Sequence, residues 1–210
     1  MFIQESCEAF SNKLASKAPI PGGGGAAALV GALAAALSSM VANLTLGKKK
    51  YEAVQPEMSE LLFDTEILRH NLMQLVEEDA MAFEELIQAY KMPKTTEDEL
   101  SAYKQVLSEK SIEAAEVPWK IAELCGKVLL MADRAAEFGN TQAVSDAAVS
   151  ALLARAALRS ACYNVRINLN TIDDSLYVEN RLMLMEELQK RAELQEIEVL
   201  KKTDKILAKN

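Results

Sequence analysis

Residues 26–46 form 21 consecutive positions without a charge, eight of them alanine, and Lys48-Lys49-Lys50 follows. A run of that length is either a membrane span with a basic stop or a helix buried by the protein around it. Alanine is a weak hydrophobe and the best helix former, and Ser38, Ser39, Asn43 and Thr45 add polar groups that a span would have to satisfy. The run therefore predicts a central helix buried by its neighbours rather than a membrane element.

The breakers organise everything else. Four of the eight glycines stand together at Gly22 to Gly25, behind Pro19 and Pro21, and the chain beyond is nearly free of both residues. That distribution reads as helices with one irregular loop. An amphipathic helix is expected over about 5–17, with Cys7, Phe10 and Leu14 on one face, and the Ala-rich helix ends near Gly47, a residue free to adopt positive φ. A long helix follows over about 56–92, stopped by Pro93. Thr96-Glu97-Asp98-Glu99 has the form of a capping box opening the next helix. Pro118 marks a first turn or a break before another, Gly139-Asn140 precedes a helix over about 142–169, and residues 171–174 offer caps for a charge-rich last helix. No run alternates with period two, so the prediction is an all-α, multihelical single domain over residues 1–210, with about six or seven helices.

Charge and cysteine usage narrow the function classes. The 23 basic and 31 acidic residues leave −8, which argues against nucleic acid or an anionic membrane surface as partner. Cys7, Cys125 and Cys162 are odd in number and far apart, neither a disulfide framework nor a metal-ligand pair, so no metal is expected. Without a basic-then-apolar leader the expected compartment is cytoplasmic.

Three groups of residues can carry chemistry. In the first, Pro19, Ile20, Pro21, Gly22, Gly23, Gly24 and Gly25 run into a helix N-terminus, where bare backbone and the positive helix end suit an anion or a flat ligand. The spacing is neither a Walker A loop nor a dinucleotide fingerprint. An equal alternative is a tight connection that lets helices pack closely, with Gly31 and Ala35 continuing the small face. The second is Asp79, which falls inside the apolar stripe Leu68, Leu72, Leu75, Val76, Phe83, Leu86 and Tyr90, while Glu77 and Glu78 point away. A carboxylate there must be paired, hydrogen-bonded or raised in pKa, which fits acid–base work or a structural polar contact. His70, nine residues earlier, lies on about the opposite side. The third group is Asn140, Ser145, Asp146, Asn164, Asn168 and Asn170. Asp146 and Asn164 are about 27 Å apart along a helix, too far for one small reaction centre within a subunit. Such residues also serve as helix caps and partners for buried backbone.

Five motifs occur in register: Pro19-x-Pro21-Gly22-Gly23-Gly24; Thr45-x-Gly47-Lys48-Lys49-x-Tyr51; Asp79-Ala80-x-Ala82-Phe83; Gly139-Asn140 with Ser145-Asp146; and Asn164-Val165-x-Ile167-Asn168-Leu169. Together they resemble the formiminotetrahydrofolate cyclodeaminase family, over essentially the whole chain. Gly25 stands where many relatives carry serine, and Ala143 where some carry cysteine. The resemblance implies a helical homodimer that converts 5-formiminotetrahydrofolate to 5,10-methenyltetrahydrofolate and ammonia, with folate as substrate and no further cofactor. It implies Asp79 as general acid/base and the loop from Pro21 to Gly25 against the ligand. Asn140, Asp146, Asn164 and Asn168 become its polar contacts or contacts to each other, and Lys48 and Lys49 candidates for a glutamate tail or a basic cap that complements the helix dipole. Two alternatives remain: a methenyltetrahydrofolate cyclohydrolase giving the 10-formyl form, and a non-catalytic helical dimerisation protein.

Overall fold

The computed structural model describes residues 1–208. Its described residues form six α-helices: α1 Cys7–Leu14, α2 Gly23–Thr45, α3 Gln55–Tyr90, α4 Glu97–Phe138, α5 Val144–Leu169 and α6 Ser175–Leu207. Short 3-10 turns lie at Phe2–Gln4, Lys49–Val54 and Thr141–Ala143. The expected all-α architecture is what folds. Residues 209–210, the end of the expected last helix, lie outside the described part.

Helix α2 packs on α3, α4 and α5 at once, and its composition explains how. Ala28, Ala34, Ala35 and Ala42 are fully buried, and small side chains let three helices approach one. Gly31 sits so close to Cys125 that a methyl there would meet the sulfur at 2.7 Å. The most apolar 18-residue stretch of α2 has mean hydropathy 1.9, enough to cross a membrane by length and composition, yet 61% of it is buried inside the protein.

Polar contacts fix the direction of the neighbours. Ser39 donates to Thr65 on α3 (2.8 Å) while Gly25, at the start of α2, reaches Asp79, so α3 runs antiparallel to α2. Ser150 donates to the Ala34 carbonyl (2.7 Å), and Asn140 meets Thr45 and Leu44, so α5 is antiparallel as well. Helix α6 lies outside, on α4 and α5.

The local signals set most boundaries. Thr96 and Glu99 form the expected capping box, Gly47 has φ +73° just beyond α2, and Asp174 caps α6 through the Tyr177 N–H (3.0 Å). Four expectations are corrected. Helix α1 is shorter than expected, with Ser6 as its cap, and of its apolar face only Phe10 is buried. Phe83 and Tyr90 of the α3 stripe are exposed: α2 begins opposite Asp79 and does not cover this end, where Leu86 and Ala89 are buried against Leu107 and Ala114 of α4. Gly23, Gly24 and Gly25 are the first turn of α2 and not loop, since Gly22 already takes the N-cap position. Pro118 lies inside the unbroken α4. Proline cannot donate to the carbonyl four residues earlier, and here that carbonyl, of Ala114, finds another donor in Asn168 (2.9 Å).

Candidate active site

The N-terminus of α2 meets the middle of α3 at Asp79. The Gly25 N–H donates to Asp79 Oδ2 (2.8 Å), the one hydrogen bond of that carboxylate among the described residues. Glycine at 24 is what permits the approach, because any Cβ there would fall on the carboxylate itself. Two forces oppose each other at this group. Burial penalises the charged form and dominates, the Gly25 N–H favours it, and the carboxyl is pushed up from 3.8 to about 6.

A cavity of about 170 Å³ opens onto Asp79, walled by Pro19, Ile20, Gly22, Gly23, Gly24, Phe83, Ala114, Asn164, Ile167 and Asn168. Among the described residues Asp79 is its only ionisable lining group. A second, more open hollow of about 450 Å³ shares Gly23 and Asn164 with the first and runs between α2 and α5 past Ala26, Val30 and Tyr163. The first suits part of a flat heterocycle; the second continues the space beyond it.

The residues singled out in the sequence divide into two places. Gly22, Gly23, Gly24, Asn164 and Asn168 line the Asp79 cavity. Gly25 supplies its N–H, and buried Pro21 packs behind, 3.7 Å from where a side chain at 25 would begin. Asn164 donates to the Ser160 carbonyl (2.9 Å) and Asn168 to that of Ala114, which holds both amides in place. Asn140, Asp146, Lys48 and Lys49 sit at the opposite end of α2 and α5, and one chain does not bring them to Asp79. Asn140 is buried there. Its Nδ2 donates to the Leu44 carbonyl (3.2 Å), and its Oδ1 accepts from Tyr51 and from the Gln142 N–H (3.1 Å each). Asp146 is half-buried, Lys48 and Lys49 are exposed, and so is His70.

Pro19 and Ile20, which open the expected Gly-rich loop, also line the cavity, whereas Phe83, Ala114 and Ile167 are cavity residues that the sequence pattern does not place in a site. Phe83 belongs to the apolar stripe and Ile167 to a motif, but periodicity does not say which apolar residue faces a hollow. For Ala114 a signal exists: a proline four residues later frees its carbonyl. Among the described residues no three His, Cys, Asp or Glu side chains gather to hold a metal ion.

Comparison with known proteins adds four likenesses. The family model described as Formiminotransferase-cyclodeaminase matches residues 6–187. A methenyltetrahydrofolate cyclohydrolase of Methylorubrum extorquens is 44% identical over 184 residues, 88% of each chain. The formimidoyltransferase-cyclodeaminase of Rattus norvegicus is 32% identical over 198 residues, which are 94% of this chain but 37% of that longer protein. Among solved structures, a formiminotetrahydrofolate cyclodeaminase from Thermotoga maritima superposes with a TM-score of 0.87 at 35% identity, covering 97% of this chain and 98% of that one.

Proposed function

Since the chain belongs to the formiminotransferase-cyclodeaminase family, a family of folate enzymes, we propose that it acts on the one-carbon unit held between N5 and N10 of a reduced folate. Asp79 moves the proton. The observation that carries this reading is a single carboxyl, desolvated at a helix N-terminus and raised to about 6, as the only ionisable group of its cavity. A group that must act as base and then as acid works best with a pKa near the operating pH.

Two reactions fit that carboxyl. In hydrolysis, water adds to the methenyl carbon, Asp79 takes its proton, and the tetrahedral adduct returns a proton to N5 as the N5–carbon bond breaks, leaving the 10-formyl form. In ring closure, N10 attacks the formimino carbon, Asp79 takes the N10 proton, and the leaving nitrogen accepts it to depart as ammonia. The family resemblance put ring closure first, with hydrolysis as its alternative, and the sequence motifs themselves do not discriminate the two. The 44% identity to a cyclohydrolase over 88% of both chains moves hydrolysis ahead, and the likeness to the Thermotoga structure keeps ring closure as the second reading.

One pair of assays separates them. Purified protein is given methenyltetrahydrofolate, then 5-formiminotetrahydrofolate, with the methenyl absorbance and ammonia followed together. Bleaching of the first substrate is the expected outcome. Methenyl product with equal ammonia from the second would establish ring closure. Silence with both, from folded protein, would leave the non-catalytic dimerisation role.

The homodimer belongs to the same proposal. Val30, Leu33, Leu37 and Met40 of α2 lie along one helix face, Val149, Leu152 and Tyr163 are exposed on α5, and Val30 and Tyr163 share the hollow beside the site. A second copy seated there with its helices reversed carries its own Lys48, Lys49 and Asp146 toward the Asp79 cavity. Sedimentation of the wild type against Leu33→Glu tests it: a dimer that becomes a monomer supports this face, and an unchanged dimer rejects it.

A further inference from the structure

We propose that Pro118, which does not line the cavity, positions the Asn168 amide so that its oxygen stands toward the Asp79 cavity as a fixed acceptor for an N–H group of the bound ligand; the ligand's identity rests on the folate reading above. A missing proton sets the geometry. Within α4 the N–H of residue 118 would close the helix on the Ala114 carbonyl, but proline has none, and its ring crowds that carbonyl outward. The freed carbonyl is buried and needs a donor. Asn168 Nδ2, on α5, supplies it at 2.9 Å.

That contact orients the whole amide. A carbonyl only accepts, so the group turned toward Ala114 is the NH₂, and the amide oxygen is left on the other side. Asn168 and Ala114 both line the Asp79 cavity, and among the described residues the Asn168 oxygen takes no hydrogen bond. A free asparagine would rotate between donor and acceptor; this one is held as an acceptor. The amino-pyrimidinone edge of a folate carries the matching N–H donors.

The backbone of Asn168 is held separately. Ser111 of α4 and Thr171, in the turn just after α5, share a hydrogen bond (2.6 Å), and Thr171 Oγ1 donates to the Asn168 carbonyl (3.1 Å). Replacing Pro118 therefore alters the amide's partner while the helix ends remain joined.

The test is a kinetic cycle on the folate substrate that the wild type turns over: wild type, Pro118→Ala, Asn168→Ala and the double variant. Alanine at 118 restores the N–H and lets α4 reclaim the Ala114 carbonyl. The loss of one neutral hydrogen bond's orientation predicts KM higher by about three- to tenfold for Pro118→Ala, with kcat nearly unchanged. Asn168→Ala raises KM at least as much, and the double variant no further, because Pro118 acts only through Asn168. An unchanged KM in Pro118→Ala, or effects that multiply in the double variant, overturns the proposal. If Pro118→Ala does not fold, Asn168→Asp examines the same point, since it keeps oxygens at the site but in its ionised form cannot donate to Ala114; wild-type KM in that variant also overturns it. A wild type that turns over neither folate defeats the functional reading itself, whereas an active wild type with unlinked variants defeats only the role of Pro118.

Discussion

The two ends of the α2–α5 pair use the same residue types to opposite effect. At one end every side-chain polar atom of Asn140 has a partner: the Leu44 carbonyl, the Tyr51 hydroxyl and the Gln142 N–H take up its amide, and the Thr45 hydroxyl takes up its backbone N–H. At the other end Asp79 has one backbone donor, and the asparagine beside it keeps an unpaired oxygen toward a hollow. Fully partnered buried polar groups rigidify a structure. A partly partnered carboxyl bears the desolvation penalty and is left poised to exchange a proton. The difference between scaffold and candidate site here is hydrogen-bond saturation, not residue identity.

The largest effect should come from Asp79→Asn, which removes the exchangeable proton while the amide oxygen still accepts from Gly25. Turnover is expected to fall by about 10²- to 10⁴-fold. Stability should move the other way. The native Asp79 carboxyl holds its proton more tightly than the unfolded one, so between about pH 4 and 6 stability falls as pH rises, and the cost is complete above the folded value. Asp79→Asn should be more stable at pH 7.5 by up to about 3 kcal/mol, a gain that vanishes below about pH 4. Urea titrations at the two pH values measure it; a destabilised variant at pH 7.5 would mean that the charge is compensated and the contrast between the ends is false.

Gly24→Ala sharpens the same point by keeping the carboxyl and moving it. A methyl at 24 collides with the carboxylate, so turnover should drop by about 10²-fold or more, while the helix gains up to about 1 kcal/mol from alanine. Activity within a few-fold of wild type would show that Asp79 does not need its present place.

Asn140→Ala should do the reverse, costing about 2–3 kcal/mol through the partners it orphans and leaving kcat nearly unchanged in the folded fraction. If kcat falls tenfold in fully folded protein, the far end contributes to a site, and the shared site of a reversed dimer becomes the explanation. The smallest effect is expected from Gly25→Ser. A Cβ at 25 meets the Val76 carbonyl at 3.5 Å, an ordinary contact, so kcat/KM should stay within about twofold.

Much of this is legible in the amino-acid sequence. The uncharged run marks the core helix, the capping box opens α4 where expected, and Asp79 stands out because one acidic residue interrupts an apolar stripe. Those signals are local, or depend only on helical periodicity. The fates of the asparagines are not legible, because Asn140 and Asn168 present the same side chain and differ only in what lies opposite.

By itself, then, the sequence determined the helices and most of their ends and marked Asp79 as an acidic residue inside an apolar stripe, since each depends on neighbours within a few turns; the proposed catalytic role of Asp79 came from the family resemblance. Only the tertiary structure decided that Gly24 exists to admit a carboxylate from α3, that Pro118 stays inside α4, and that Asn168 rather than Asn140 faces the cavity. Each of those depends on a partner some 50 to 100 residues away, Asp79 for Gly25, Ala114 for Asn168 and Leu44 for Asn140. Helical periodicity says which face a residue is on, and only packing says what it meets there.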